Sequence, residues 1–226
     1  MSEIERGITN EIDSMRREVL AVAHNAALTP EKLERALRTN IPLIEIDLTL
    51  VDGKLVIAHS LAEYYDLTTR QKSQQDPKKI LQMIYDAGKQ PFLDLKNEIE
   101  RVDQLEGLFD LMEDDPEAMA SSNNHELLRQ VGEGGFSGTI LYSLEYPTAL
   151  SEFMANNEGR DFSEENSGVS IEHTLYEGSI PTRLKQMGLT VACWNPTEPG
   201  DIANLISLGA GIITSDNFDI SQNRKS

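Results

Sequence analysis

Leu43-Ile44-Glu45-Ile46-Asp47-Leu48-Thr49-Leu50 alternates strictly between apolar and polar residues. Ile44, Ile46, Leu48 and Leu50 share one face of a strand, and Glu45, Asp47 and Thr49 share the other. An apolar face that covers helices, with carboxylates turned toward the centre, suits a barrel ringed by helices. Two carboxylates projecting from one side repel unless a cation or a proton intervenes. The plainer reading is a salt-bridged pair on a solvated edge strand. The strongly apolar opposite face argues for an interior strand instead.

Outward from this strand, β-like and helix-like segments alternate. Val19 to Ala23 reads as a short buried strand ending at His24. Thr29 and Pro30 then stand at the N-cap and N1 of a helix, with Leu28 and Leu33 at the hydrophobic-staple positions. Asp52-Gly53 predicts a tight hairpin turn, after which Lys54 to Ala58 returns to His59. Gln90 to Lys96 is a strand carrying Asp94 and Lys96 on one face. Further strands are expected at 139–143, 168–171, 189–194 and 211–214, and helices at 78–88, 102–112, 125–131, 148–154, 181–187 and 202–208. The stretch 114–135 is polar and Gly-rich and reads as an irregular connection around its helix. Repeated β-then-α units imply parallel strands with outer helices. Seven strands, after the hairpin return is discounted, come close to the eight of a (β/α)8 TIM barrel. Its active site would collect at the C-terminal strand ends, where His24, Asp47, Lys96, Ser143 and Trp194 fall. A doubly wound open sheet is the main alternative. The first 18 residues read as an amphipathic lead-in helix. The whole chain, 1–226, is expected to be a single domain, with the barrel proper at about 19–217.

Net charge is −18, from 38 acidic and 20 basic residues. That argues against a nucleic-acid partner and against docking on an anionic membrane through a basic patch. Any anionic substrate must be drawn in by a local cation. The single cysteine, Cys193, lies in an apolar run and reads as a small buried hydrophobe. The polar N-terminus lacks a signal-peptide core, and no run of about 18 apolar residues occurs. The expectation is a cytoplasmic protein without an integral membrane segment.

Glu45, Asp47 and Asp94 together suggest an oxygen-liking ion, Mg2+ or Ca2+. Histidine ligation to zinc stays open at this level. His24 and His59, at strand ends flanking the acidic strand, can form a general acid–base pair, although each alone would read as structural. Lys96 is either an intrastrand partner of Asp94 or a clamp on phosphate charge. Trp194 is either core or a pocket wall. His173 is a weaker site candidate, and His125 reads as a surface residue.

Ala23-His24, Leu43-Ile-Glu45-Ile-Asp47 and Asp52-Gly-Lys-Leu-Val-Ile-Ala-His59 resemble the N-terminal signature of glycerophosphodiester phosphodiesterases. Phe92-Leu-Asp94-Leu-Lys96, Leu189 to Trp194 and Leu208 to Asp216 are similar to that family's later strands. The resemblance implies His24 and His59 as the acid–base pair and Glu45, Asp47 and Asp94 as metal ligands. It implies Lys96 at the phosphate and Trp194 lining the substrate site. It implies a small-molecule or lipid-derived phosphodiester as substrate, such as a glycerophosphodiester or lysophospholipid. Asn25 and Ala26 depart from the arginine and glycine that follow the family's first histidine, which assigns Asn25 to substrate contact in the arginine's place. Asp94 stands where glutamate is usual. The His24 loop and the Asp94-x-Lys96 strand also look like sphingomyelinase D-type and menorin-like relatives. The alternative is a catalytically inactive barrel that binds a phosphorylated ligand or a protein partner.

Overall fold

A computed structural model describes residues 19–216, apart from 75, 106, 113–114 and 164–165; the expected lead-in helix lies outside them. Eight parallel strands close on themselves: β1 (Leu20–Ala23), β2 (Leu43–Val51), β4 (Gln90–Leu95), β5 (Met119–Ser122), β6 (Thr139–Leu144), β7 (Ser167–Glu172), β8 (Thr190–Trp194) and β9 (Ile212–Ser215). The circle is completed by β1, which pairs with β9 on one side and β2 on the other. The fold is the expected (β/α)8 barrel.

The eighth strand, β5, falls in the stretch that read as irregular. Its sequence, Met119-Ala-Ser-Ser122, is short and hydroxyl-rich yet wholly buried. Its flanks carry no apolar run, so only pairing with β4 and β6 identifies it. The helix expected over 102–112 is instead two short 3-10 turns, Val102–Leu105 and Phe109–Leu111. Other helices fall where their periodicity placed them, including α1 (Pro30–Leu37), whose N-cap Thr29 accepts from the Lys32 amide at 3.2 Å. Two short helices, α2 (Leu61–Asp66) and α3 (Thr69–Gln74), follow His59 and precede α4 (Pro77–Asp86). After β5 come α5 (His125–Glu133), α6 (Pro147–Asn156), α7 (Ile180–Gln186) and α8 (Pro199–Ser207).

The outward face of β2 is the apolar face. Ile44, Ile46 and Leu48 pack with Leu33 and Ala36 of α1 and with Ile80, Leu81 and Ile84 of α4. The lower barrel interior is a separate plug of Val22, Leu43, Phe92, Met119, Leu141, Ala192 and Ile212. These are the positions two residues before the polar ones, so the strand period of 2 stacks a dry layer beneath a polar layer. Cys193 points outward into the second apolar shell, fully buried, as expected. Burial pushes its thiol up to about 12, with Glu172 adding to the shift.

The hairpin turn has Asp52 at φ 50° and Gly53 at φ 75°, the positive pair a type I′ turn demands. It sends the antiparallel strand β3 (Lys54–Ile57) back along β2. The edge of β2 is therefore shared: Leu43 and Ile44 pair with β1, while Leu48 to Val51 pair with β3.

Gly168 faces this interior where a side chain has no room. A Cβ there would lie 2.3 Å from the Thr190 carbonyl oxygen and 2.7 Å from Leu141. Gly168→Ala is expected to destabilise the fold by about 1–3 kcal/mol through overpacking, read as a lower urea midpoint at unchanged slope.

Candidate active site

The register of β2 with β4 puts Asp47 opposite Asp94 and Glu45 opposite Phe92. One oxygen from each of Glu45, Asp47 and Asp94 can be chosen so that all lie within 4.8 Å of one another. Glu45 and Asp47 are 3% and 1% exposed, while Asp94 is open to the barrel mouth. Lys96, one residue past β4, sets its ammonium between Asp94, at 2.5 Å, and Asp47. Three carboxylates face one ammonium. Burial first, then the charges of Asp47 and Asp94, raise the Glu45 carboxyl well above its usual range, with Lys96 and the Asn25 amide opposing. Burial lowers the basicity of Lys96, but Asp94 and Asp47 outweigh it and the net shift is upward.

Each carboxylate is held differently. Ser121 of β5 donates its hydroxyl to Asp94 Oδ1 at 2.7 Å. The Asn25 backbone amide donates to Glu45 Oε2 at 2.5 Å, with Asn25 in the left-handed region at φ 51°. Asp47 is held by the Lys96 ammonium at Oδ1 alone, and its buried Oδ2 has no hydrogen-bond partner. Unpartnered buried carboxylate oxygens are costly. An all-oxygen donor set with excess negative charge fits a hard divalent cation such as Mg2+ or Ca2+.

The shared edge of β2 also receives the two segments that end in the histidines. The Ala58 amide bonds the Asp47 carbonyl at 3.2 Å, and Thr49 Oγ1 donates to the Ala58 carbonyl at 3.0 Å. These bonds fix the end of β3. Ala23 pairs with Ile44, and Leu48 with Ile57. His24 directly follows the last paired residue of β1, and His59 lies two residues past the last paired residue of β3, so both follow segments that run along the same edge of β2. His24 is mostly buried and its Nδ1 lies 3.3 Å from Asp216 Oδ2. His59 is exposed, and its amide is held by Glu63 Oε2 at 2.7 Å. It lines a cleft of about 560 Å3 with Asn25, Leu28, Ser60 and Glu63.

Trp194 ends β8, half-buried, beside Glu172 and Thr214 of the neighbouring strands. Glu172 Oε1 lies 2.9 Å from His173 Nδ1, and that nitrogen is 3.3 Å from the Trp194 carbonyl oxygen. His173 therefore stands at the same end of the barrel. His125 is not a plain surface residue: it is half-buried with its ring edge-on to Tyr142 and Phe153. Burial lowers its pKa, against a backbone hydrogen bond involving Ser143.

Two contributors escaped sequence reasoning. Asp216, just past β9, pairs with His24 and with Lys32 Nζ at 2.9 Å. Burial raises its carboxyl, but Lys32 and His24 outweigh that and the net shift is downward. Its signal was the closing Ile212-Ile-Thr-Ser-Asp216 segment. Ser121 carried no signal, because its strand was not recognised.

No protein-family model and no curated protein matches this sequence. Solved structures do match. An Oleispira antarctica phosphodiesterase, solved with the product sn-glycerol-3-phosphate, is 19% identical at a TM-score of 0.69, covering 90% of this chain and 95% of that one. A glycerophosphodiester phosphodiesterase from Parabacteroides distasonis is 16% identical at 0.65, covering 90% and 94%. A glycerol uptake operon antiterminator regulatory protein from Listeria monocytogenes is 12% identical at 0.59, covering 90% and 94%. At these identities the likeness establishes the barrel fold, and the third match shows that the fold alone does not fix an activity.

The raised Glu45 pKa makes the metal-free folded state hold a proton that the unfolded chain releases near pH 4.5. Stability contributed by that proton is therefore lost as pH rises above this value. Removing the ammonium sharpens the effect. Lys96→Met, unfolded in urea with chelator present, is expected to lose about 3 kcal/mol at pH 7 and distinctly less at pH 5. An equal loss at both pH values would show that the ammonium does not neutralise the carboxylates.

Proposed function

We propose that this chain is a metal-dependent phosphoric diester hydrolase that cleaves a glycerophosphodiester or lysophospholipid-type substrate. The observation that carries the reading is the Glu45–Asp47–Asp94 cluster, two of its carboxylates buried and all three set against the single ammonium of Lys96, at the barrel end where the segments carrying His24 and His59 also finish. The phosphodiesterases among the structural neighbours support it, as does the sn-glycerol-3-phosphate bound to one of them.

In this reading Glu45, Asp47 and Asp94 hold Mg2+ or Ca2+. Such an ion, when bound, supplies Lewis acidity toward the nonbridging phosphate oxygens. Lys96 reaches the same phosphate from its place between the two aspartates and offsets charge that builds in the transition state. His24 is oriented by Asp216, as a base is oriented by a neighbouring carboxylate, and takes the proton of the attacking hydroxyl or water. His59, on the open side of the cleft, returns a proton to the departing alkoxide. Trp194 and Asn25 flank the substrate. The chain acts as one domain, and the reading places it in the cytoplasm. Among the described residues no helix is long and apolar enough to cross a membrane.

The second reading, a barrel that binds without turnover, is favoured by one observation. Asn25 replaces a bidentate arginine, and its side-chain oxygen is buried without a partner.

Purified protein assayed on a panel of glycerophosphodiesters, lysophospholipids and a chromogenic diester separates the two. Turnover is expected with Mg2+ or Ca2+ and none with chelator. His24→Ala and His59→Ala should each lower kcat at least about 100-fold with circular dichroism unchanged. Full activity in either variant removes that residue from the mechanism, and binding without turnover across the panel favours the second reading. Independently of activity, Mg2+ or Ca2+ should raise the melting temperature. Asp47→Asn should abolish most of that shift, because it deletes a charge from the donor set.

A further inference from the structure

A second cleft, of about 690 Å3, opens at the same end of the barrel on the side away from His59. It begins at Asn97, next to Lys96, passes Asn123 and Ser143 just beyond or within the ends of β5 and β6, and runs out along α6. Its size is that of a small-molecule site. The ends of β4 and β5 also carry Lys96 and Ser121, so the cleft adjoins the groups that hold Asp94.

Its chemistry is neither apolar nor strongly charged. Glu145 and Glu152 are matched in number by Arg129 and Arg160. Arg129 is committed to Glu126 and Glu133, and Arg160 lies over the Phe162 ring at 4.2 Å. With Arg129 so engaged, Glu145 and Glu152 face Arg160, and a second anionic group would meet the glutamates. The remaining polar lining is carboxamide, hydroxyl and imidazole. Asn97, Asn123 and Glu145 make no side-chain hydrogen bond or ion pair among the described residues. A carboxamide both donates and accepts, so it matches a hydroxyl that does the same.

One wall is aromatic. Tyr142 and Phe153 pack together with ring centroids 5.5 Å apart. Tyr146 stands at the rim, 63% exposed, with no aromatic partner among the described residues. A flat ring left in water beside amides and carboxylates offers an apolar platform for the C–H face of a ring-shaped alcohol, with polar groups for its hydroxyls. A small alcohol such as ethanol or glycerol would leave that platform unused.

We infer that this cleft is the leaving-group subsite and selects a cyclic polyhydroxyl alcohol, of the inositol or hexose type, on the diester. This rests on the phosphodiesterase reading and narrows it to a substrate class. The phosphate then sits at Lys96 and the metal ligands, with the alcohol extending over Asn97 and Asn123 toward Tyr146.

Two measurements on the full chain test it. In the first, free myo-inositol, methyl glucoside and choline are examined by saturation-transfer NMR without metal or turnover. Transfer to the two polyols, reduced several-fold in Tyr146→Ala and Asn123→Ala, is expected. Transfer to choline alone, or to none of the three, overturns the inference whether or not the chain is an enzyme. In the second, kcat/KM is compared for glycerophosphodiesters of inositol, choline and ethanol. A preference of at least about tenfold for the inositol diester is expected, with the Tyr146→Ala loss larger on that substrate than on the ethanol diester. Equal turnover of all three overturns the subsite while leaving the phosphodiesterase reading intact. Absence of any turnover with polyol binding retained defeats the hydrolase reading instead.

Discussion

Asp47 and Asp94 stand opposite each other on adjacent parallel strands, with Glu45 two residues away on the same face. Like charges at this spacing stay together in a buried place only if something positive stands between them. Lys96 does so, and its ammonium is one charge against three. Much of the upper barrel follows from that deficit. Asn25, in the left-handed region, gives its backbone amide to Glu45, and Ser121 gives its hydroxyl to Asp94. Strain and buried charge of this kind are found where a site is used.

The hairpin of β2 and β3 is the second constraint. Because β1 stops at Ala23, β2 continues with a free edge, and β3 fills it from above. Two chains running in opposite directions along one edge converge, and the histidines follow after each. A two-residue turn with both φ values positive thus decides that the chain carrying His59 returns along the edge of β2 that β1 leaves open. The dry plug beneath the site, from Val22 to Ile212, keeps solvent out from below and holds the strand register that this convergence needs.

The two clefts give the site a direction. One, beside Asn25 and His59, is open and polar. The other, beyond Lys96, combines carboxamides with an exposed ring. On the phosphodiesterase reading proposed above, a diester spanning the triad would have one arm in each, so the two alcohols it joins would be read by different chemistry.

The barrel class, most strand positions, the carboxylate strand and both strand-end histidines were legible in the sequence, because period-2 alternation and turn residues act locally. The apolar face of β2, the N-cap Thr29 of α1 and Asp52-Gly53 in the hairpin turn each depend on neighbours within a few residues. What only the tertiary structure decided depends on partners far apart in the chain. Met119-Ala-Ser-Ser122 is a strand because β4 and β6 leave room for one, not because its residues favour it. Asp216 meets His24 only because the barrel closes β9 against β1. His125 is half-buried because α5 lies against Tyr142 and Phe153, residues that no helical period connects to it. Closure of the sheet is a long-range event, and the contacts that complete the site form across it.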